Sequence, residues 1–227
     1  MSQPPVPAAD YDLPPIDWDR VSPAFAEFFH HYFVDPIPLS RGEVRSAGIS
    51  GLSPDDTALA ASLLRRNLRL GYTHIIDGLG LLGDRGAAAQ LRALLESERD
   101  LSRRLVLARN LWRLDRDAAF PAILSELAAS ENPTLKQAHM DDVLLLDDER
   151  AVDILVEYLD DQDDFVRAMA LTHLNSLECR TFFLMSPADL PHSAAEYRAR
   201  RWEPQFVARL VENLRDSRAS WPVVWKQ

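Results

Sequence analysis

The sequence repeats itself with a period of about 32 residues, and this period limits the fold more than any other feature. Leu82, Leu114 and Leu146 are spaced at this interval. Two further columns of apolar residues share the spacing: Leu91, Ile123 and Leu155, and Leu95, Leu127 and Leu159. A short helix pair cannot bury its apolar stripe alone, whereas stacked pairs form a continuous core. The period therefore predicts an array of paired helices.

Each period is expected to contain two helices. The apolar spacing places the first helices at about 86–96, 117–129 and 149–159. The second helices are expected to begin after good N-cap residues, which are Asp100, Asn132 and Asp163. A weaker unit precedes these three at about 57–82.

Signals before the repeats predict two more helix starts and one turn. Ser22-Pro23 and Ser53-Pro54 each combine a serine N-cap with a proline in the first turn. The run GLGLLGDRG, residues 78–86, contains four glycines, which favour a turn between helices.

The first and third units resemble a known repeat family. They read GDRGAAAQLRALLESERDLSRRLVLARNLWRL and DDERAVDILVEYLDDQDDFVRAMALTHLNSL. Both are similar to the short HEAT repeats also called PBS-lyase HEAT-like repeats, in which a Val-Arg pair lies in the second helix. Val166-Arg167 matches that pair, and Arg104 and Lys136 fall at the arginine position in the other units.

The resemblance implies an all-α, right-handed α-solenoid whose second helices line a concave surface. It also implies that the recurring cations Arg104, Lys136 and Arg167 form a ladder with Asp100 and Asp163 that joins consecutive repeats. A column of cations that binds acids on a partner is the alternative interpretation.

Composition separates the repeats from the two ends of the chain. Nine of the fifteen prolines lie in residues 1–54. We expect an irregular N-terminal arm and capping helix in 1–55, a HEAT-like array in 56–180 and a helical cap in 181–227. The aromatic residues of the capping helix are expected to dock on the first repeat: Phe25, Phe28, Phe29, Tyr32 and Phe33. Trp202, Trp221 and Trp225 are expected to cover the far end.

Negative charge is concentrated in one stretch. Residues 141–164 contain eleven acids and a single base, Arg150, so this stretch carries the whole formal net charge of −10. An acidic rim would attract a basic protein and repel nucleic acid and anionic membranes. Solvated turns with carboxylates near helix N-termini are the alternative interpretation.

The candidate partner-binding surface combines polar positions of the second helices with the acidic turns. Their offset from the leucines predicts exposure for the second-helix group: Arg109, Arg113, Asp141, Asp142, Thr172 and His173. The turn group consists of Asp147, Asp148, Asp160, Asp161 and Asp163.

Signals for catalysis are missing from the sequence. The six histidines lack metal-ligand spacing, and the chain contains no phosphate-binding glycine loop and no nucleophile motif. The single cysteine, Cys179, favours a reducing, cytoplasmic location. No apolar run approaches the roughly 18 residues of a membrane helix. We therefore predict no catalytic residue, no metal, no cofactor and no membrane contact.

These observations predict a non-catalytic adaptor or scaffold that binds another protein, and charge complementarity favours a basic partner. A bacterial immunity protein that neutralises a basic toxin is the first alternative. A HEAT-like DNA glycosylase is disfavoured by the acidic middle unit, and a bilin lyase rests only on the name of the repeat family. The oligomeric state stays open.

Overall fold

A computed structural model describes residues 11–40 and 48–179, together with six single residues that are all helical: Ala195, Ala199, Ala208, Val211, Glu212 and Arg215. Every regular element in this described part is a helix, so the prediction of an all-α chain is confirmed. The chain divides into two compact units between Asp117 and Ala118. This boundary falls inside the predicted repeat array, and the predicted domain limits stay predictions.

Most of the predicted C-terminal cap lies outside the described residues. This applies to Trp202, Trp221 and Trp225, and to the first ten residues of the arm. Ala208 and Val211 are helical, which agrees with a helix predicted in that region.

Among its described residues, the first unit contains six α-helices. They are α1 (Pro23–Phe29), α2 (Ile37–Ser40), α3 (Pro54–Asn67), α4 (Thr73–Leu81), α5 (Ala88–Ser97) and α6 (Leu101–Asp115). A π-helical turn, His30–Val34, extends α1, and a 3-10 turn, Leu68–Leu70, extends α3. Helix α3 packs against α4, α4 against α6, and α5 against α6.

The second unit contains four α-helices in its described part. They are α7 (Ala119–Ala128), α8 (Pro133–Val143), α9 (Glu149–Tyr158) and α10 (Asp164–Cys179). Helix α7 packs against α8, and α9 packs against α10. The two first helices, α7 and α9, also contact each other, as do the two second helices, α8 and α10. The predicted helix pairs therefore form and pack against each other within this unit.

Five of these helices begin at the predicted N-cap residues, which are Ser22, Ser53, Asp100, Asn132 and Asp163. In each case the side-chain oxygen accepts a hydrogen bond from the backbone N–H three residues later, at 2.9–3.1 Å. Each bond satisfies a backbone donor that has no partner within the helix. Local sequence therefore fixes where these helices start.

The aromatic residues of α1 and its π-helical extension form the centre of the first core. All five predicted residues are at most 2% exposed, and the rings of Phe28 and Tyr32 stack with centroids 4.5 Å apart. They share one apolar cluster with residues of α3 and α4: Ala60, Leu63, Leu64, Ile75, Ile76 and Leu79. The rings are buried against α3 and α4, so they are not a partner-binding surface, and the role of this helix as the cap of a repeat array stays a prediction.

Residues 11–22 form the described part of the predicted arm, and they contain no helix. Their larger apolar side chains pack against the same cluster: Tyr11, Leu13, Ile16, Trp18 and Val21. The Trp18 ring meets Phe29 edge to face at 5.0 Å. The arm is therefore irregular, as predicted, and attached to the core.

The glycine-rich run is only partly a turn, which corrects the prediction. Gly78 and Gly80 lie inside α4, and the left-handed turn residue is Gly83, with φ of 68°. A Cβ on Gly78 would lie 2.6 Å from a ring carbon of Tyr32, and a Cβ on Gly80 would overlap the side-chain oxygen of Asn110. These two glycines are needed because neighbouring side chains come so close to the backbone of α4.

We expect Gly80→Ala to lower the free energy of unfolding by about 1–3 kcal/mol, because the new methyl group overpacks the contact with Asn110. In an open helix the same change would stabilise by about 1 kcal/mol. Urea denaturation followed by circular dichroism measures the effect. Gly86→Ala is the control, since its methyl group meets mainly the end of the Arg65 side chain. Equal stability of the two variants would contradict the packing argument.

Candidate partner-binding surface

A polar network centred on Asp77 joins α4 to α6 in the first unit. Arg109 donates to both carboxylate oxygens of Asp77, at 2.7 and 2.9 Å. Asn110 donates to the same carboxylate at 2.8 Å, and its own oxygen accepts a hydrogen bond from Arg113 at 2.8 Å. Arg113 also approaches Asp77 at 3.5 Å. Several charge-assisted bonds therefore converge on one carboxylate.

Arg109 and Arg113 were predicted to be exposed, and the structure corrects this. Their side chains are only 16% and 12% exposed. The repeat pattern gave their position on α6, but it did not reveal Asp77 on the neighbouring helix. Asn110, a polar residue on the leucine face of α6, was the available signal for a buried network. Both arginines join α4 to α6, and this structural role leaves little of either side chain exposed to a partner.

Asp77 also influences two groups beside the network. Burial raises the pKa of the Tyr32 hydroxyl, and the negative charge of Asp77 raises it further. Burial lowers the pKa of His74, although Asp77 acts in the opposite direction. His74 lies next to the arm, where its Nε2 is 3.3 Å from the hydroxyl oxygen of Tyr11. The lowered pKa favours a neutral imidazole at this contact.

In the second unit, the predicted second-helix residues differ in exposure. Asp141 is exposed, and its carboxylate lies 3.2 Å from Nε2 of His173, which links α8 to α10. Thr172 is exposed and donates to the carbonyl of Ala168 at 2.8 Å. Asp142 was predicted to be exposed, but it is only 7% exposed. It faces inward because it lies on the same side of α8 as His139. The distance from Nδ1 of His139 to the Asp142 carboxylate is 2.9 Å.

The predicted turn residues before α9 are used locally. Asp147 and Asp148 are both half-buried. Asp148 caps α9 by accepting the backbone N–H of Arg150 at 3.0 Å, and it pairs with the Arg150 guanidinium at 2.5 Å. This pairing holds the pKa of the Asp148 carboxyl below its ordinary value. The backbone carbonyl of Asp147 accepts a hydrogen bond from Arg215 at 3.0 Å.

A cation of α8 ties this helix to the turn that precedes α10. Lys136 Nζ lies 2.5 Å from the Asp161 carboxylate, and each side chain is 9% exposed. Gln137 adds a bond of 3.2 Å to Asp163. Burial raises the pKa of Asp161, but its hydrogen bonds from Lys136 and from the backbone of Asp163 bring it below the ordinary value. One contact of the expected kind is present here, with Asp161 as the partner of Lys136 where Asp163 was expected, and the ladder as a whole stays a prediction.

The other ladder positions behave differently. Arg167 pairs with Asp164 in its own helix and donates to the carbonyl of Asp161 at 2.6 Å. The Asp100 carboxylate caps α6 by accepting the backbone N–H of Arg103. Arg167 therefore stabilises the turn before its own helix.

The described helices of the second unit, α7 to α10, carry a strongly negative charge. Residues 118–179 contain fourteen acids and three bases, which gives a formal net charge of −11. Among residues 118–174, Arg150 is the one exposed base. The exposed acids are Glu126, Glu131, Asp141, Glu149, Glu157, Asp160 and Asp164. An exposed aromatic ring, Phe165 at 59%, adjoins Asp164.

The predicted excess of exposed acids is therefore present, carried partly by predicted residues and partly by others, and the acidic rim itself stays a prediction. Asp160 is exposed as expected, whereas Asp161 and Asp163 are half-buried and engaged in the contacts described above. Glu149, Glu157 and Asp164 belong to the acidic stretch of residues 141–164 but were not among the predicted site residues. Their freedom from capping roles was the signal that separates them from Asp148 and Asp163.

Within residues 11–40 and 48–179, no group of three or more histidine, cysteine, aspartate or glutamate side chains could hold a metal ion. No helix in the described part is long and apolar enough to cross a membrane. Comparisons with known protein families, with curated proteins and with solved structures found no match to this chain.

We expect Lys136→Met to lower the free energy of unfolding by about 3 kcal/mol at neutral pH, because it leaves the Asp161 carboxylate poorly exposed and without its cation. In the natural chain the lowered pKa of Asp161 contributes stability above its unfolded pKa, which is lost as the pH falls through the folded value. In the variant, burial favours the protonated acid. The difference between the two proteins should therefore shrink below about pH 4.

Urea denaturation at several pH values measures this difference. Lys136→Met combined with Asp161→Asn is the control, since asparagine removes the charge and can still accept the backbone N–H of Asp163. This double variant should recover more than half of the lost stability. A pH-independent loss that the double variant does not reverse would show that the ion pair is not its cause.

Proposed function

We propose that this chain is a non-catalytic adaptor or scaffold, built from HEAT-like helix pairs, that binds another protein. The pairing of α7 with α8 and of α9 with α10, and the contacts between equivalent helices, support a solenoid-type repeat. The match of Val166-Arg167 and Lys136 to the repeat pattern adds to this. We keep the cytoplasm as the proposed location because the chain has a single cysteine.

The observation that carries the proposal is the unbalanced exposed charge of residues 118–174 in the second unit. Seven acids and one base are exposed among residues 118–174, and that base, Arg150, already pairs with Asp148. An excess of like charges raises the free energy of the folded state through self-repulsion. A partner with a basic surface would relieve the repulsion and would be drawn to the unit by long-range attraction.

Phe165 gives the surface an apolar component. Its ring is 59% exposed beside Asp164, whose side chain is 93% exposed. Aromatic residues are enriched among the contacts that contribute most to binding, and charges at the rim mainly accelerate association. The proposed partner therefore presents lysine or arginine side chains around an apolar depression.

An immunity protein that neutralises a basic toxin is a narrower form of the same proposal, favoured by the same exposed acids. It adds one requirement, namely that the partner loses its activity in proportion to the complex formed. An adaptor would leave the activity of its partner intact.

The test compares two variants with equal changes in net charge. Glu157→Lys with Asp160→Lys reverses two acids near the end of α9, where cations are favoured by the helix dipole. Glu96→Lys with Asp19→Lys makes the same change on exposed acids of the first unit. Binding of a short poly-lysine peptide is measured by isothermal titration at low and at physiological ionic strength.

We expect the second-unit variant to bind about five- to tenfold more weakly than the natural chain, and the control variant to bind nearly as well. The difference should shrink as salt screens the surface charges. Equal weakening by both variants would mean that binding follows net charge alone, which would contradict a defined surface.

A further inference from the structure

Asp12, in the arm, is held against α3 in the way that proteins hold an extended peptide. The amide of Asn67 contacts the backbone of Asp12 on both sides, accepting its N–H at 2.7 Å and donating to its carbonyl at 3.2 Å. Asn67 is fully buried, and a further bond of 2.8 Å to the carbonyl of Leu63 fixes its amide. The clamp is therefore rigid, and it recognises backbone atoms only.

Side-chain contacts on either side of the clamp discriminate between residues. Arg66 forms a salt bridge of 3.0 Å with the Asp12 carboxylate. The Tyr11 ring meets the edges of Phe33 and Tyr72 at 5.1 and 6.1 Å, and its hydroxyl reaches His74. Leu13 packs against the apolar cluster of the first unit. The three consecutive positions, aromatic, acidic and aliphatic, therefore each contact a different part of α3, α4 or the residues next to them.

We propose that this groove, formed by Arg66, Asn67, Tyr72 and His74, is a receptor for an extended segment of a partner protein, and that residues 11–13 occupy it in cis. The partner segment carries an aromatic, an acidic and an aliphatic residue in consecutive positions. Because the segment is acidic and binds the first unit, this site is independent of the proposed basic partner of the second unit.

The geometry makes exchange between the cis and trans segments possible. The Asp12–Arg66 pair is 46% exposed on both sides, so water and salt compete with it. Only the first residues of the described arm touch the clamp, while Trp18 anchors the arm separately on Phe29. A short tether gives the cis segment an effective concentration of about millimolar, which a partner segment must overcome.

The experiment weakens the cis segment in the full chain and measures binding of a labelled peptide with the sequence of residues 11–16, YDLPPI. Asp12→Lys places a cation against Arg66 and leaves the groove intact. Adding Arg66→Glu to this variant restores a favourable cis pair and repels the acidic peptide. Asp19→Lys makes the same charge change on an exposed arm residue outside the groove and is the matched control.

Fluorescence anisotropy should show that Asp12→Lys binds the peptide at least tenfold more tightly than the natural chain or Asp19→Lys. The added Arg66→Glu change should abolish this gain, and a peptide with lysine in place of the aspartate should not bind Asp12→Lys. Tyr11→Ala, which empties the aromatic position, gives a second weakened arm and should also gain binding.

The proposal is overturned if both weakened variants keep the natural circular dichroism spectrum and bind no peptide up to about 1 mM, the effective concentration of the tether. It is also overturned if the double variant binds as tightly as Asp12→Lys, because recognition would then not involve Arg66.

Discussion

Short helices depend on their neighbours for stability, and this dependence organises the whole described chain. The α-helices range from four to sixteen residues, and isolated helices of such lengths are marginal in water. Burial of apolar faces between α3, α4 and α6, or between α7 and α9, supplies the stability that each helix lacks on its own. Once these faces are buried, polar side chains at the contacts must be matched, as Asp77 and Lys136 are.

Features set by local sequence were predictable, and features set by a neighbouring helix were not. Asp100 and Asn132 were identified as caps because an N-cap bond spans three residues. The inward position of Asp142 could not be inferred from its sequence spacing to the repeat leucines. It depends on how α8 lies against α9 and α10. Gly80 was taken for a turn residue because its need for close packing comes from Asn110, thirty positions later.

The same limit explains the partial success at the acidic surface. Composition located the negative stretch, but an acid in such a stretch can either cap a helix or lie exposed on the surface. Asp148 and Asp163 stabilise helix starts, whereas Glu157 and Asp160 near the end of α9 are exposed to solvent. The sequence identified the stretch and its cap positions, and only the course of the helices showed that Asp161 is a structural acid paired with Lys136.

The arm is synthesised before Asn67, the residue that clamps it, and this order has a consequence for folding. Asp12 and Asn67 are 55 positions apart, so the arm leaves the ribosome well before the residues that hold it exist. At elongation rates of about 5–20 residues per second, its apolar side chains stay uncovered for several seconds. A chaperone or a partner that recognises this segment could therefore bind it during translation, before Asn67 is available to hold the arm.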